Sequence, residues 1–151
     1  MIYVNCKADN QTFVNLTCYL DMELAQRYGI GQVQYDGYNR IVNAEAIIAM
    51  DDKLAAGCGC IRSFAGETAE IKRMYVKPEY RGRGIAKELL KRLENRAMEL
   101  GYKTAILETG CKQPEAIRLY EKSGYEHIPN YGPYTDMLDS VCFKKRLQTT
   151  K

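Results

Sequence analysis

The spacing of apolar positions changes several times along the chain, and each change marks an element. Residues 11–28 place Phe13, Leu16, Leu20 and Leu24 at helical spacing, and Gly29 is a natural stop. Residues 1–6 read as a short strand. The apolar run at 44–50, the Asp51-Asp52-Lys53 break and the run at 54–64 predict two strands joined by a tight turn. A third strand, Thr68–Val76, follows Gly66. From Ile85 the period becomes 3.6: Ile85, Leu89, Leu93, Ala97 and Leu100 share one face, and Gly101 ends the helix. Residues 104–107 predict a short buried strand. Pro114 opens another helix, with Ala116, Ile117 and Tyr120 as its inner face and Gly124 behind it. Residues 128–138 are an aromatic-rich loop and 140–147 a last strand. Only 30–43, polar with interleaved Gly and Tyr, stay open between a loop and a weakly marked second helix. The order predicts an α/β (α+β) domain, and with no repeat or linker in sight, a single one over 1–151.

Composition narrows the class. Of 151 residues, 46% are hydrophobic and 27% charged, enough apolar surface to exclude a disordered chain. No apolar run approaches the roughly 20 residues needed to span a bilayer. The opening MIYVNCKADN lacks a basic stretch followed by an apolar one, so the cytoplasm is the expected compartment. Cysteines stand at 6, 18, 58, 60, 111 and 142 without a C-x-x-C pair, and His127 is the one histidine, which excludes zinc-finger spacing. The thiols read as reduced residues filling small apolar gaps, Cys58 and Cys60 as structural strand residues. A net charge of +3 is too mild to imply nucleic acid. The positive charge is concentrated, however: Lys72, Arg73, Lys77, Arg81, Arg83, Lys87, Lys91, Arg92 and, just beyond, Arg96 face only Glu79 and Glu88. That pattern is either a local anion site or one solvated face.

The stretch IKRMYVKPEYRGRGIAKELL, residues 71–90, runs from a strand through a glycine-rich turn into an amphipathic helix. Glycines permit close backbone approach and unusual φ angles. Unpaired N–H groups at the helix start, with the positive end of its dipole, then point at whatever sits in the turn. Arg81 and Arg83 add charge there. This is a phosphate or pyrophosphate cradle. It is not a Walker A loop, and Gly82-x-Gly84 lacks the third glycine of the dinucleotide fingerprint.

Val76-x-Pro78-x-x-Arg81-Gly82-Arg83-Gly84-Ile85-Ala86, followed about 30 residues later by Ala116-Ile117-Arg118-Leu119-Tyr120-Glu121-Lys122-Ser123-Gly124-Tyr125, resembles the GCN5-related N-acetyltransferase (GNAT) superfamily. The resemblance is strong over 67–127 and loose over 1–43. It implies a mixed, mostly antiparallel sheet, flanked by helices and splayed between the strands at 68–76 and 104–108, with acetyl-CoA in the splay. Backbone groups of Met74, Tyr75 and Val76 would pair with the pantetheine arm. The amides of Arg81, Gly82, Arg83, Gly84, Ile85 and Ala86 would hold the pyrophosphate. One position departs from the family pattern: Gln113 stands where an Asn is frequent, leaving cofactor-arm positioning in that corner open.

Acetyl transfer to an amine has three requirements. The amine must lose its proton, since a lysine-like amine of pKa about 10.4 is only about one part in a few thousand free base at pH 7. The tetrahedral oxyanion must be stabilised, which backbone N–H groups at the splay can do. The departing thiolate must be protonated, and no metal is required. By resemblance to the family's LYEKxGF-like segment, Tyr120 is the acid. Glu70, six residues before Val76, resembles in placement the catalytic glutamate of the family's histone acetyltransferases and is the candidate base, with Glu108 at the end of the next strand as competitor and ordered water as a third route. No G-x-S-x-G context surrounds any serine, and a Cys–His nucleophile would need His127 beside Cys111 or Cys142. The expectation is an acetyl-CoA-dependent N-acetyltransferase acting on a small-molecule amine or amino-acid-like acceptor, without nucleic acid or membrane, a homodimer being left open. A protein or peptide N-acetyltransferase and a non-catalytic acyl-CoA-binding domain are the alternatives. Segments 28–38 and 128–138 are the expected walls of an acceptor pocket.

Overall fold

The computed structural model describes residues 1–29 and 43–148. In chain order these form β1 (Ile2–Lys7), α1 (Gln11–Tyr28), β2 (Glu45–Asp51), β3 (Leu54–Ala65), β4 (Thr68–Val76), α2 (Ile85–Glu99), β5 (Thr104–Gly110), α3 (Pro114–Lys122), β6 (Glu126–Ile128) and β7 (Ser140–Arg146). The stretch read as a loop or second helix lies, for 30–42, outside the described residues. Local chemistry sets the helix ends. Asn10 caps α1, its side-chain oxygen accepting from Thr12 N at 2.9 Å and Phe13 N at 3.3 Å, a contact worth about 1 kcal/mol. Pro114 starts α3 at a position where its missing N–H costs nothing.

The strands form one sheet in the order β1-β2-β3-β4-β5-β7-β6. All neighbours are antiparallel except β4 and β5, which pair in parallel only from Thr68 against Thr104 to Ile71 against Leu107. Beyond that point the pairing stops and the two strands splay, as the family resemblance implies. β4 also carries an extra residue: Cys58 opposes Tyr75 while Cys60 opposes Lys72, and Arg73 sits at φ 61°. The bulge exchanges the faces of the strand. Ahead of it Ala69 and Ile71 join the core under α2, whereas behind it Val76 does so and Tyr75 turns to the core under α1. Gly59 on β3 makes room for this, since a Cβ there would lie 2.5 Å from Met74 Sδ and 2.7 Å from Leu93 Cδ1.

Two apolar cores cover the two faces of the sheet. One packs α2 through Ile85, Leu89, Leu90, Leu93 and Ala97, and reaches Tyr120 and Tyr125; each fully buried leucine contributes about 1.5–3 kcal/mol. The other packs Phe13, Leu16 and Leu20 of α1 against Ile48, Cys58 and Cys60. Leu100, expected on the inner face of α2, is 46% exposed, because the helix ends at Glu99 and Leu100 belongs to the cap. Cys58, Cys60 and Cys142 fill core gaps, but Cys18 and Cys111 are exposed and fill none. Nor are the basic residues of 72–92 one solvated face, since Lys72 and Arg73 are buried.

The loop from 128 to 138 begins on β6 and holds a short 3-10 turn, Gly132–Tyr134. It lies on the sheet through rings: Tyr131 meets Phe64 at 5.2 Å and Tyr134 at 5.6 Å between centroids, both edge-on. No helix among the described residues is long and apolar enough to cross a membrane.

Candidate active site

Between β4 and α2 the chain makes a 3-10 turn, Pro78–Tyr80, then passes through Gly82 at φ 81° and Gly84 at φ 79°. Both values favour glycine. A Cβ at either would meet nothing within 4 Å, so conformation rather than space selects glycine here. Gly84 is the N-cap of α2 and supplies no side-chain cap, which leaves the first amides of the helix without capping acceptors. Arg81 Nε donates to Val76 O at 2.8 Å and its Nη2 to Glu23 Oε1 at 2.7 Å. Arg83 turns away from the cradle, its Nη2 3.3 Å from Glu79 O and its guanidinium over the Tyr80 ring.

The splay opens into a cavity of about 410 Å³. Of the expected site residues it brings together Met74, Tyr75 and Val76 of β4, Arg81, Gly82, Gly84, Ile85 and Ala86 of the cradle, Gln113, and Tyr120 of α3. Glu70 and Arg83 do not line it. Past Ile71 the β5-facing edge of β4 has no strand partner. Gln113 folds onto its own loop, Oε1 accepting from Gly110 N at 3.1 Å.

Of the two segments expected to wall an acceptor pocket, Tyr28 lines the cavity, 30–38 lie outside the described residues and none of 128–138 lines it. The rest of the α1 wall was not anticipated. Leu20, Glu23, Leu24 and Tyr28 of α1 line the cavity. Tyr28 Oη accepts from Lys112 N at 2.9 Å, in the space a side chain on Gly110 would need. Burial raises the Tyr28 pKa to about 12. Arg27 donates to Lys112 O at 3.0 Å and pairs with Glu115 at 2.5 Å. The 3.6 period of α1 was visible, but which side of the sheet it covers is decided by long-range packing.

Tyr120 is 5% exposed, its ring against Tyr125 and Phe143 at 5.8 Å each. Its hydroxyl makes no hydrogen bond among the described residues, although it borders the cavity. Burial, seconded by the charge of Glu108, pushes its pKa well above the usual tyrosine value, so it stays protonated at neutral pH.

The opposite end of the cavity is polar. Lys72 and Glu108 line it, and Lys72 Nζ donates to Tyr134 Oη at 2.8 Å. Glu108 Oε2 accepts from Ser140 Oγ at 2.7 Å, and burial raises its pKa despite that bond. Behind them Glu70, 1% exposed, has both oxygens engaged, by Arg62 Nε at 2.9 Å and by Tyr131 Oη at 2.7 Å. His127 turns its Nε2 to Glu121 at 3.0 Å and stacks on Phe143 at 4.3 Å, so it pairs with neither cysteine.

The family model for the GNAT acetyltransferases matches residues 14–125. The chain belongs to the GNAT acetyltransferase family. This GNAT chain is 38% identical over 89 residues to an IAA acetyltransferase of Azospirillum brasilense, a stretch covering 58% of each protein. It is 34% identical over 96 residues to the uncharacterized N-acetyltransferase YjgM of Escherichia coli (strain K12), covering 62% of the chain and 58% of that protein. The chain thus spans a little over half the length of these curated relatives. Among solved structures, a Klebsiella pneumoniae protein described as a candidate acyl-CoA N-acyltransferase superposes with a TM-score of 0.80 at 28% identity, covering 97% of this chain and 99% of that one. An acetyltransferase from Salmonella typhimurium, solved with its cofactor acetyl-CoA, shares the fold at a TM-score of 0.68 and 19% identity, covering 100% of this chain and 97% of that one.

Proposed function

We propose that this GNAT chain moves the acetyl group of acetyl-CoA to a primary amine of a small-molecule or amino-acid-like acceptor, by direct attack with both substrates bound. The observation that carries the reading is the single cavity joining the cradle, the unpaired edge of β4 and the buried Tyr120 hydroxyl. These features fit an acyl-CoA. Uncapped amides at the start of α2 suit a diphosphate, the open edge of β4 suits an amide-bearing arm added as a strand, and an unpartnered phenol suits a leaving sulfur. Acetyl-CoA, when bound, supplies an activated thioester.

The residues then divide the work. The amides from Arg81 to Ala86 bind the diphosphate, and Val76 O, already accepting from Arg81 Nε, has a second lone pair for the arm. Tyr120, kept protonated by burial, donates to the departing sulfur. For the amine's proton, Glu108 has the better placement: it borders the cavity, and burial raises its pKa, which makes it a better base than an exposed carboxylate. Glu70 holds the position the resemblance gives to a base, and with Arg62 occupying one oxygen it would take the proton only through the Tyr131 hydroxyl on the other.

A thiol-release screen over amines, amino acids, polyamines and short peptides tests the reading. Turnover with small amines is expected. Turnover with peptides alone would favour the protein-acetylating alternative, and tight acetyl-CoA binding with no turnover would favour the non-catalytic one.

A further inference from the structure

The polar end of the cavity holds a cation that the transfer chemistry does not use. Lys72 is 8% exposed, and its one hydrogen bond among the described residues is to the neutral Tyr134 hydroxyl, whose ring centroid lies 5.5 Å from Nζ. The carboxylates around it are committed elsewhere, Glu70 to Arg62 and Tyr131, Glu108 to Ser140. A buried ammonium is costly to keep charged unless a counter-charge meets it, and burial does lower the Lys72 pKa. Its position is equally specific. Ile71 and Leu107 are the last paired residues of β4 and β5 and both point into the core under α2. Lys72 and Glu108 follow them, so they oppose each other across the mouth of the splay on the other face.

The charges around this mouth are balanced: Arg62 and Lys72 against Glu70 and Glu108, with the Arg73 guanidinium drawn away to Asp21 at 2.7 Å. A ligand bringing only an ammonium would leave the cluster positive. One bringing only a carboxylate would leave it negative. A ligand with both keeps it neutral and sets a carboxylate against Lys72 at ion-pair distance, where neither Glu70 nor Glu108, though both act on it by charge, makes such a pair among the described residues.

We propose that Lys72, steadied by Tyr134, binds a carboxylate of the acceptor while Glu108 faces its amine, so that the acceptor class is small molecules carrying both groups, amino acids foremost. This rests on the transferase reading above and adds the second charged group. Lys72 is a specificity-determining residue, with no share in the transfer itself.

The test uses the full chain and matched pairs, each an amino acid and its carboxamide, which differ only in the charge Lys72 would read. Thiol release with acetyl-CoA gives kcat and KM for each member. Calorimetric titration of the CoA-loaded protein with the same pairs gives binding without turnover. The acid is expected to have a KM at least tenfold below its amide at similar kcat, and the calorimetric affinities to differ in the same direction. Lys72→Met, of similar volume, should collapse that ratio to near unity. Tyr134→Phe should reduce it less, and supplies the measurement if Lys72→Met does not fold. Amides used as well as acids by the parent, or a ratio that survives Lys72→Met, overturns the carboxylate subsite and leaves the transferase reading standing. Acetyl-CoA binding with no thiol release from any amine, and no heat from either member of any pair, removes both.

Discussion

The two ends of the cavity are built on different principles. At the cradle the ligand-facing groups are backbone amides, set by two left-handed glycines and the start of one helix within six consecutive residues. At the polar end they are side chains from β3, β4, β5, β7 and the loop between β6 and β7, contributed by residues as far apart as Arg62 and Ser140. A backbone site tolerates little variation, because its conformation is its function. A side-chain site can be re-specified one residue at a time without disturbing the sheet beneath. The difference explains how one scaffold can hold a constant cofactor and a variable acceptor.

The sharpest way to probe the line between the ends is the residue that serves both. Tyr120→Phe keeps the ring that packs on Tyr125 and Phe143 and removes only the hydroxyl proton. Turnover should fall about 10²–10⁴-fold, with acetyl-CoA affinity unchanged by calorimetry. A parent-like rate under conditions where chemistry is limiting would make Tyr120 a packing residue.

Gly84→Val attacks the cradle alone. A β-branched residue at φ 79° is strained by about 1–3 kcal/mol, and the turn must shift to relieve it. Acetyl-CoA affinity should drop about tenfold or more, while acceptor discrimination between matched acids and amides stays. Unchanged affinity would remove the cradle from this account.

A smaller effect comes from the wall between the ends. Tyr28 has a folded-state pKa raised to about 12 by burial, against about 10 when unfolded. Its contribution to stability is therefore complete below about pH 10 and is lost as the pH rises through 12. Melting temperatures should decline above pH 10, where the other buried tyrosines act in the same direction. Tyr28→Phe should lessen the slope by about one proton, and an identical slope would place this hydroxyl in solvent.

Glu23→Gln should do least. Its pair with Arg81 is partly solvated, with side chains 24% and 37% exposed, and such pairs are worth about 0–1 kcal/mol. Thermal stability should barely move, while acetyl-CoA affinity holds or rises because Arg81 loses a competing carboxylate. A large fall in affinity would instead make Glu23 part of the cradle.

The same contrast governs what could be read in the chain before it was folded. RGRGIA is contiguous, and its meaning lies in local geometry, so the cradle was legible. So was the place of Tyr120 beside the cavity, through the motif around it. The acceptor end was not. Lys72 looked like one more member of a basic run, because nothing in IKRMYV announces that Arg73 adopts a left-handed conformation and exchanges the faces of β4. Glu70 was singled out by its position in the strand, whereas the two hydrogen bonds that occupy it come from Arg62, eight residues back, and Tyr131, sixty-one residues on. The wall supplied by α1 depends on where a helix docks, which periodicity alone does not encode. The basic residues after Val76 also serve different ends: Arg81 faces the cavity and Arg83 packs over Tyr80.

Gly110 closes the strand that borders both ends, and its backbone is one that any residue could adopt; the end of the Tyr28 side chain, and behind it Gln113 Oε1 at 2.9 Å, occupy its side-chain space. Positions 28 and 110, far apart in the sequence, are therefore not free to drift separately. In a mutational scan Gly110→Ala would score as a broken strand, although the strand itself would be sound. The same change on a background with a smaller residue at 28 should cost less, the remaining contact being with the movable Gln113 side chain. The energies of substitutions at these two positions should therefore fail to add, although neither residue lies near the other in the sequence.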